Sequence, residues 1–199
     1  MTASRAELID VHTHVVPREF PPNPSPAANA RWPCMCVRGD RQATIEIGGQ
    51  PFRELDARSW DVQARLETMD HDGVAAQVLS PMPELLSYWF DPADGLAISR
   101  YVNGTLAEMV ARGNGRFHAL GMVPLQAAEL AAAELSRLRD DGFAGVEIGS
   151  NIGGIVPGDA RFHEFYAEAE RLDLALFVHA LHPVGAERLA AFPDLVPYA

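Results

Sequence analysis

A chain of 199 residues, 48% hydrophobic, can enclose one sizeable core or at most two small ones. Its formal net charge of −11, from 16 Lys and Arg against 27 Asp and Glu, opposes non-specific attraction to nucleic acid or to an anionic membrane. No apolar run approaches the roughly 18 residues a membrane helix needs, and the N-terminus lacks a basic segment followed by an apolar core, so the expected compartment is the cytoplasm.

The chain opens with Leu8-Ile9-Asp10-Val11-His12-Thr13-His14. Apolar Leu8, Ile9 and Val11 read as a buried strand, and the two-residue period of a strand places His12 and His14 on the same side at its end. Two imidazoles presented together form one edge of a metal site, or simply the polar end of a strand running into a loop. Residues 15–58 then carry Pro17, Pro21, Pro22, Pro24, Pro26 and Pro33, which fix φ and remove backbone donors, so the early part reads as loop. Short runs at 35–37 and 44–47 could pair as a small hairpin. So long an excursion directly after the histidine pair is a candidate substrate lid or pocket wall. The only cysteines, Cys34 and Cys36, lack the second pair that a structural zinc site requires, and read as free thiols in a loop or short strand.

Beyond the insertion a regular rhythm sets in. Asp61 precedes Val62, Leu66 and Met69, which share one helical face, and Gly73 stops that helix. A compact apolar strand at 74–79 follows, then a helix over 92–111 with Pro92 in its first turn and Gly113 at its exit. A strand at 117–123, an alanine-rich helix at 127–139 ended by Gly142, a strand at 144–148, a glycine-rich segment at 149–158 and a helix at 160–172 come next. A fifth strand at 174–178 delivers His179. The last segment offers one short helix around 186–192 before Pro193 and Pro197. Neither GxGxxG nor GxxxxGK[ST] is present, which removes support for dinucleotide and nucleoside-triphosphate sites.

Five strands separated by helices predict an α/β fold of parallel β/α units. The expected architecture is a (β/α)8 TIM-type barrel of which about five units are present. The expected domain is residues 1–199, a partial barrel with 15–58 as an insertion or lid. The edges of the first and fifth strands are then unpaired unless another chain or a rearranged tail covers them. His179 stands at the C-terminal end of the fifth strand, as His12 and His14 stand at that end of the first, and that face is where the active sites of such barrels assemble. His12, His14 and His179 are therefore the expected ligands of a shared divalent metal.

Together, Asp10-Val11-His12-Thr13-His14, the prolines after it, Phe52-Arg53, Trp60-Asp61, Arg65-Leu66, Met69-Asp70, Gly73-Val74, Gln77-Val78-Leu79-Ser80, Ser87-Tyr88-Trp89 and Phe177-Val178-His179 resemble the amidohydrolase-2 branch of the amidohydrolase superfamily. Within it the chain is most similar to the aminocarboxymuconate-semialdehyde decarboxylases, from about Leu8 to Leu181. The resemblance implies a complete barrel with a divalent ion, usually zinc, held by His12, His14 and His179. It also implies a histidine after strand six and an aspartate after strand eight, positions beyond this 199-residue chain.

Arg53 is the candidate for holding a substrate carboxylate, since a guanidinium can make a bidentate pair, with a solvated surface arginine as the alternative. The family's second basic residue near this arginine is replaced by Asp56, with Arg58 following. Trp89, with Tyr88, is a candidate pocket wall or simple core packing. His182 reads equally as an outer pocket donor and as loop surface. Three functions stay open: a metal-dependent decarboxylase of small unsaturated or aromatic carboxylic acids, a metal-dependent hydrolase of the same fold, and a catalytically silent fragment that oligomerises through its barrel edges. The expected partners are a small carboxylated molecule and a second copy in a homodimer, not nucleic acid or membrane.

Overall fold

The computed structural model describes residues 8–182. The first strand, β1, spans Leu8–Val15. The insertion after it folds into an antiparallel sheet of three strands, β2 (Pro33–Val37), β3 (Gln42–Ile47) and β4 (Gln50–Asp56). β2 and β3 are the expected hairpin, but β4 has no signature in the sequence. It reads QPFRELD, with its first five residues exposed and no apolar alternation to mark it. What makes it a strand is the preceding turn. Gly48 and Gly49, at φ +61° and +73°, return the chain from Ile47 to Gln50, and a two-residue turn with both residues left-handed strongly favours glycine. The insertion is anchored to the body of the protein. Ile45 is fully buried and Trp32 stacks on Phe90 with ring centres 5.2 Å apart, while within the insertion the Trp32 indole N–H donates to the Pro21 carbonyl at 2.9 Å.

The β/α rhythm then follows closely. α1 spans Val62–Asp72, its N-terminus closed by the Asp61 carboxylate, which accepts from the Ala64 N–H at 2.7 Å, and its C-terminus by left-handed Gly73. β5 (Val74–Pro81), α2 (Pro92–Arg112), β6 (Phe117–Gly121), α3 (Ala128–Asp140) and β7 (Gly145–Gly149) come next. The helix expected over 160–172 begins as a 3-10 turn, Ala160–Phe162, before α4, His163–Arg171. β8, Ala175–His179, completes the described chain, and the short helix expected at 186–192 lies outside the described residues. β6 ends two residues before the sequence pattern does. Buried Asn103 of α2 occupies the Met122 backbone instead, accepting from its N–H at 2.8 Å and donating to its carbonyl at 2.9 Å.

The five strands β1-β5-β6-β7-β8 form one sheet in that order, every neighbouring pair parallel. Five flat strands would separate the outer two by roughly 19 Å, at about 4.8 Å per step. Instead the His12 and His179 rings, on the two edge strands, lie 5.0 Å apart. The sheet is therefore strongly curled, an incomplete barrel. Among the described residues the outer edges of β1 and β8 have no strand neighbour, and Leu8, Ile9, Val11, Leu176 and Val178 are exposed along them.

One buried cation fixes the end of β1. Arg65 of α1 donates from Nη2 to the His14 carbonyl at 2.7 Å, from Nε to the Arg58 carbonyl at 2.9 Å, and from Nη1 to Gln77 Oε1 at 3.3 Å. Burial pulls its pKa down to about 10, helped by the nearby Arg58 charge, which leaves it cationic at neutral pH. Between Asp10 and Thr13 the pairing of β1 with β5 slips by one residue. Asp10 stays opposite Gln77, whose Nε2 is 3.5 Å from its carboxylate, while His12 and His14 turn toward each other. Replacing Arg65 with alanine removes the donors of two backbone carbonyls. The Arg65→Ala variant is predicted to lose about 3 kcal/mol in urea unfolding, and an unchanged midpoint would rule out this anchoring role.

Candidate metal centre

His12 and His14 leave the end of β1 and His179 the end of β8, and the curled sheet brings all three together. Their ring centres form a near-equilateral triangle of 4.9, 5.0 and 5.1 Å, and one nitrogen from each lies within 4.8 Å of the others. His12 Nε2 and His14 Nε2 are 3.2 Å apart. An ion bound tetrahedrally at about 2.0–2.1 Å from each nitrogen holds its ligands roughly 3.3 Å apart, so this spacing suits a divalent cation. The far edges of two rings are already engaged. His14 Nδ1 lies 3.0 Å from the Pro81 carbonyl and His179 Nδ1 lies 2.7 Å from the Ala180 carbonyl. A carbonyl can only accept, so each Nδ1 carries the proton and each Nε2 presents a lone pair to the centre. Phe177, one residue pair below His179 on the same side of β8, sets its ring 5.1 Å from that of His12.

Electrostatics favour the neutral ligand form. Burial lowers the His14 pKa to about 4, and the neighbouring His179 and His12 rings lower it further. Behind His14 stands Glu147 of β7, fully buried, with Oε2 3.9 Å from His14 Nδ1 and neither oxygen hydrogen-bonded. Burial raises its pKa to about 7, against a smaller opposing effect of the Ser80 hydroxyl. A cleft of about 410 Å³ reaches His12 and His14, and Glu54, Leu55 and Asp56 of the insertion contribute to its wall.

The other expected site residues are placed less closely. Arg53 is exposed on β4 opposite Ile45, near enough for its charge to help lower the His14 pKa, and has no ion pair among the described residues. Arg58 is instead committed to Asp56, donating from Nε to Oδ1 at 2.9 Å. Trp89 lies under the Arg31 guanidinium at 4.0 Å and edge-on to His182 at 5.8 Å, with no ring contact to the three histidines among the described residues. Tyr88 is core: its hydroxyl accepts from the Gly149 N–H at 3.0 Å. His182 is half-exposed and sits 3.0 Å from the carboxylate of buried Glu84, which also holds Arg31. Cys34 and Cys36 are free thiols on β2, in the insertion sheet rather than the parallel sheet that carries the three histidines.

Glu147 and Arg65 were not among the expected site residues. Glu147 carried one signal, a carboxylate within the apolar run 144–148, in step with His179 on the next strand.

Comparison with known proteins gives this arrangement a family. Residues 9–197 match the amidohydrolase family Amidohydro_2. The chain belongs to that family. Among curated amidohydrolase relatives, the 2-amino-3-carboxymuconate-6-semialdehyde decarboxylase of Dictyostelium discoideum is 33% identical over 94% of this chain and 53% of its own length. The gamma-resorcylate decarboxylase of Rhodococcus jostii (strain RHA1) is 30% identical over 71% of this chain and 46% of its own. Among solved structures, 5-carboxyvanillate decarboxylase from Novosphingobium aromaticivorans DSM 12444, complexed with manganese and 4-hydroxy-3-methoxy-5-nitrobenzoic acid, superposes with a TM-score of 0.58. It is 26% identical and covers 61% of this chain and 35% of that one. The chain spans about half the length of the curated amidohydrolases it matches.

The two perturbed groups oppose each other in the metal-free amidohydrolase chain. His14 titrates near 4 when folded against 6.5 when unfolded, so its contribution to stability is lost as pH falls from 6.5 to 4. Glu147 keeps its proton to about 7 when folded against 4.5 when unfolded, so its contribution is lost as pH rises from 4.5 to 7. Glu147→Gln removes only the second effect. In chelator, the variant is predicted to gain roughly 3 kcal/mol on wild type between pH 4.5 and 8, read from urea unfolding at each pH. Parallel pH profiles would contradict the burial argument.

Proposed function

We propose that this chain carries the metal-binding part of a metal-dependent decarboxylase, a carbon–carbon lyase, acting on a small unsaturated or aromatic carboxylic acid. The observation that carries the proposal is the convergence of three imidazoles from opposite edges of one parallel sheet, in a chain whose matching curated relatives include decarboxylases of such acids. His12, His14 and His179 would hold the ion through Nε2. Their all-nitrogen donor set suits zinc, and the manganese in the 5-carboxyvanillate decarboxylase makes that ion the second candidate. An ion held by these three residues would supply Lewis-acid polarisation of a substrate oxygen.

The chain's own residues supply orientation. Arg53, exposed and unpaired among the described residues, would take the substrate carboxylate in a bidentate pair and turn its plane relative to the ring or conjugated chain. The insertion supplies one wall of the cleft through Glu54, Leu55 and Asp56, the last already paired with Arg58. Trp89 would form an outer aromatic surface rather than a wall at the ion, given its place beneath Arg31 and beside His182.

Three measurements test this reading. Elemental analysis of zinc- or manganese-loaded protein should give one ion per chain, falling below about a tenth of that in His12→Ala and His179→Ala; unchanged stoichiometry in both would overturn the centre. Carbon dioxide release from a panel of ortho-hydroxylated benzoates and amino-muconates should depend on the added metal and vanish in chelator, whereas hydrolysis of esters or amides without such release would favour a hydrolase. Arg53→Ala should weaken binding of those carboxylates roughly tenfold or more, about 1.4 kcal/mol or above, in calorimetric titration.

A further inference from the structure

Three imidazoles bring no negative charge to a dication, and no carboxylate joins them among the described residues. The carboxylate nearest to them in depth is Glu147, at 0% exposure in the middle of β7. Strand register sets its direction: Glu147 is paired with Phe177 and Gly149 with His179, so Glu147, Phe177 and His179 share the inner face of the curl. Both Glu147 oxygens are without a hydrogen-bond partner. A buried carboxyl group left in that state costs stability unless a charge nearby compensates it. Nothing cationic surrounds it among the described residues except what the histidine centre could hold, and its one charged-type neighbour is the His14 ring, with Nδ1 3.9 Å from Oε2.

That contact is on the edge of His14 away from the other two rings. Nδ1 faces Glu147, the Pro81 carbonyl at 3.0 Å and the Ser80 hydroxyl at 3.2 Å, while Nε2 faces His12. The backbone carbonyl alone already fixes the tautomer. What Glu147 adds is charge, placed behind the donor ring and fully removed from the solvent-exposed surface. We propose that Glu147 is a positioning residue that acts through His14: it is the buried counter-charge of the ion, and it tightens metal binding without touching the metal. This rests on the metal-centre reading above.

The test compares Mn2+ titration calorimetry of the full chain, wild type and Glu147→Gln, at pH 7.5. The glutamine keeps shape and removes charge. The expected result is metal affinity 10- to 100-fold weaker in the variant, the range seen when groups supporting a metal-bound histidine are lost. The metal-free variant should melt at or above the wild-type temperature, which separates the effect from unfolding. The visible absorption band of the Co2+-loaded chain should also shift, since the donor strength of His14 changes, whereas a packing role would leave it in place. Glu147→Met, of similar volume and without a polar group, gives the same comparison if the glutamine variant does not fold. Affinities within twofold of wild type, or weaker affinity with an unmoved cobalt band, would overturn the proposal while leaving the metal centre intact. A wild-type chain that takes up no Mn2+, Zn2+ or Co2+ would overturn the metal centre itself.

Discussion

The curl of one parallel sheet is the constraint on which everything else depends. β1 and β8 are the outermost of five strands, yet their C-terminal ends meet closely enough for His12 and His179 to sit ring against ring. Right-handed twist accumulated across successive parallel pairs produces such closure, and the helices on the outside make the bend favourable by burying the convex face. Fully buried Leu79, Val146, Leu106 and Leu135 lie in that layer. Each site residue inherits its place from this bend rather than from its own loop, which is why positions so far apart in sequence can form a triangle with sides near 5 Å.

The second requirement is that the imidazoles stay unprotonated in close company. Three cations at such distances would repel one another, and burial of His14 resolves this by suppressing its charge. Backbone carbonyls at Pro81 and Ala180 then orient two of the rings, and Arg65 ties down the carbonyl of His14 itself. The centre is thus preorganised from behind: the groups that aim the ligands belong to β5, the residue after β8 and α1, and are part of the fold's own hydrogen bonding. Arg53, by contrast, stands exposed on the insertion sheet, without an ion pair among the described residues.

Much of this was legible in the sequence because the chemistry follows strand periodicity. The spacing His12-x-His14 needs only a period of two, and the placement of His179 needs only the β/α rhythm of parallel units; glycine and aspartate at the ends of α1 gave its limits within a residue. Resemblance to the amidohydrolases added Arg53 and Trp89, which no period would have singled out. Two kinds of feature stayed hidden. β4 is held by a glycine turn and by its neighbour's backbone, so its own side chains carry no apolar pattern. Glu147 and Arg65 are buried polar groups whose meaning lies in what stands opposite them, which a sequence does not display. Asp56 was read as a departure from the family, and the fold gives it a definite effect, since it engages Arg58, while Arg53 on the same strand has no ion pair among the described residues.

The donor set is the most direct point at which the account can be checked, because the chain offers two chemically distinct places for a thiophilic or borderline ion: three imidazoles in the curl, and Cys34 with Cys36 on the insertion sheet. X-ray absorption at the zinc edge of the loaded protein distinguishes them. The account predicts nitrogen or oxygen scatterers alone at about 2.0–2.1 Å, with the outer-shell pattern of three imidazoles. A sulfur shell near 2.3 Å, or fewer than two imidazoles, would contradict it.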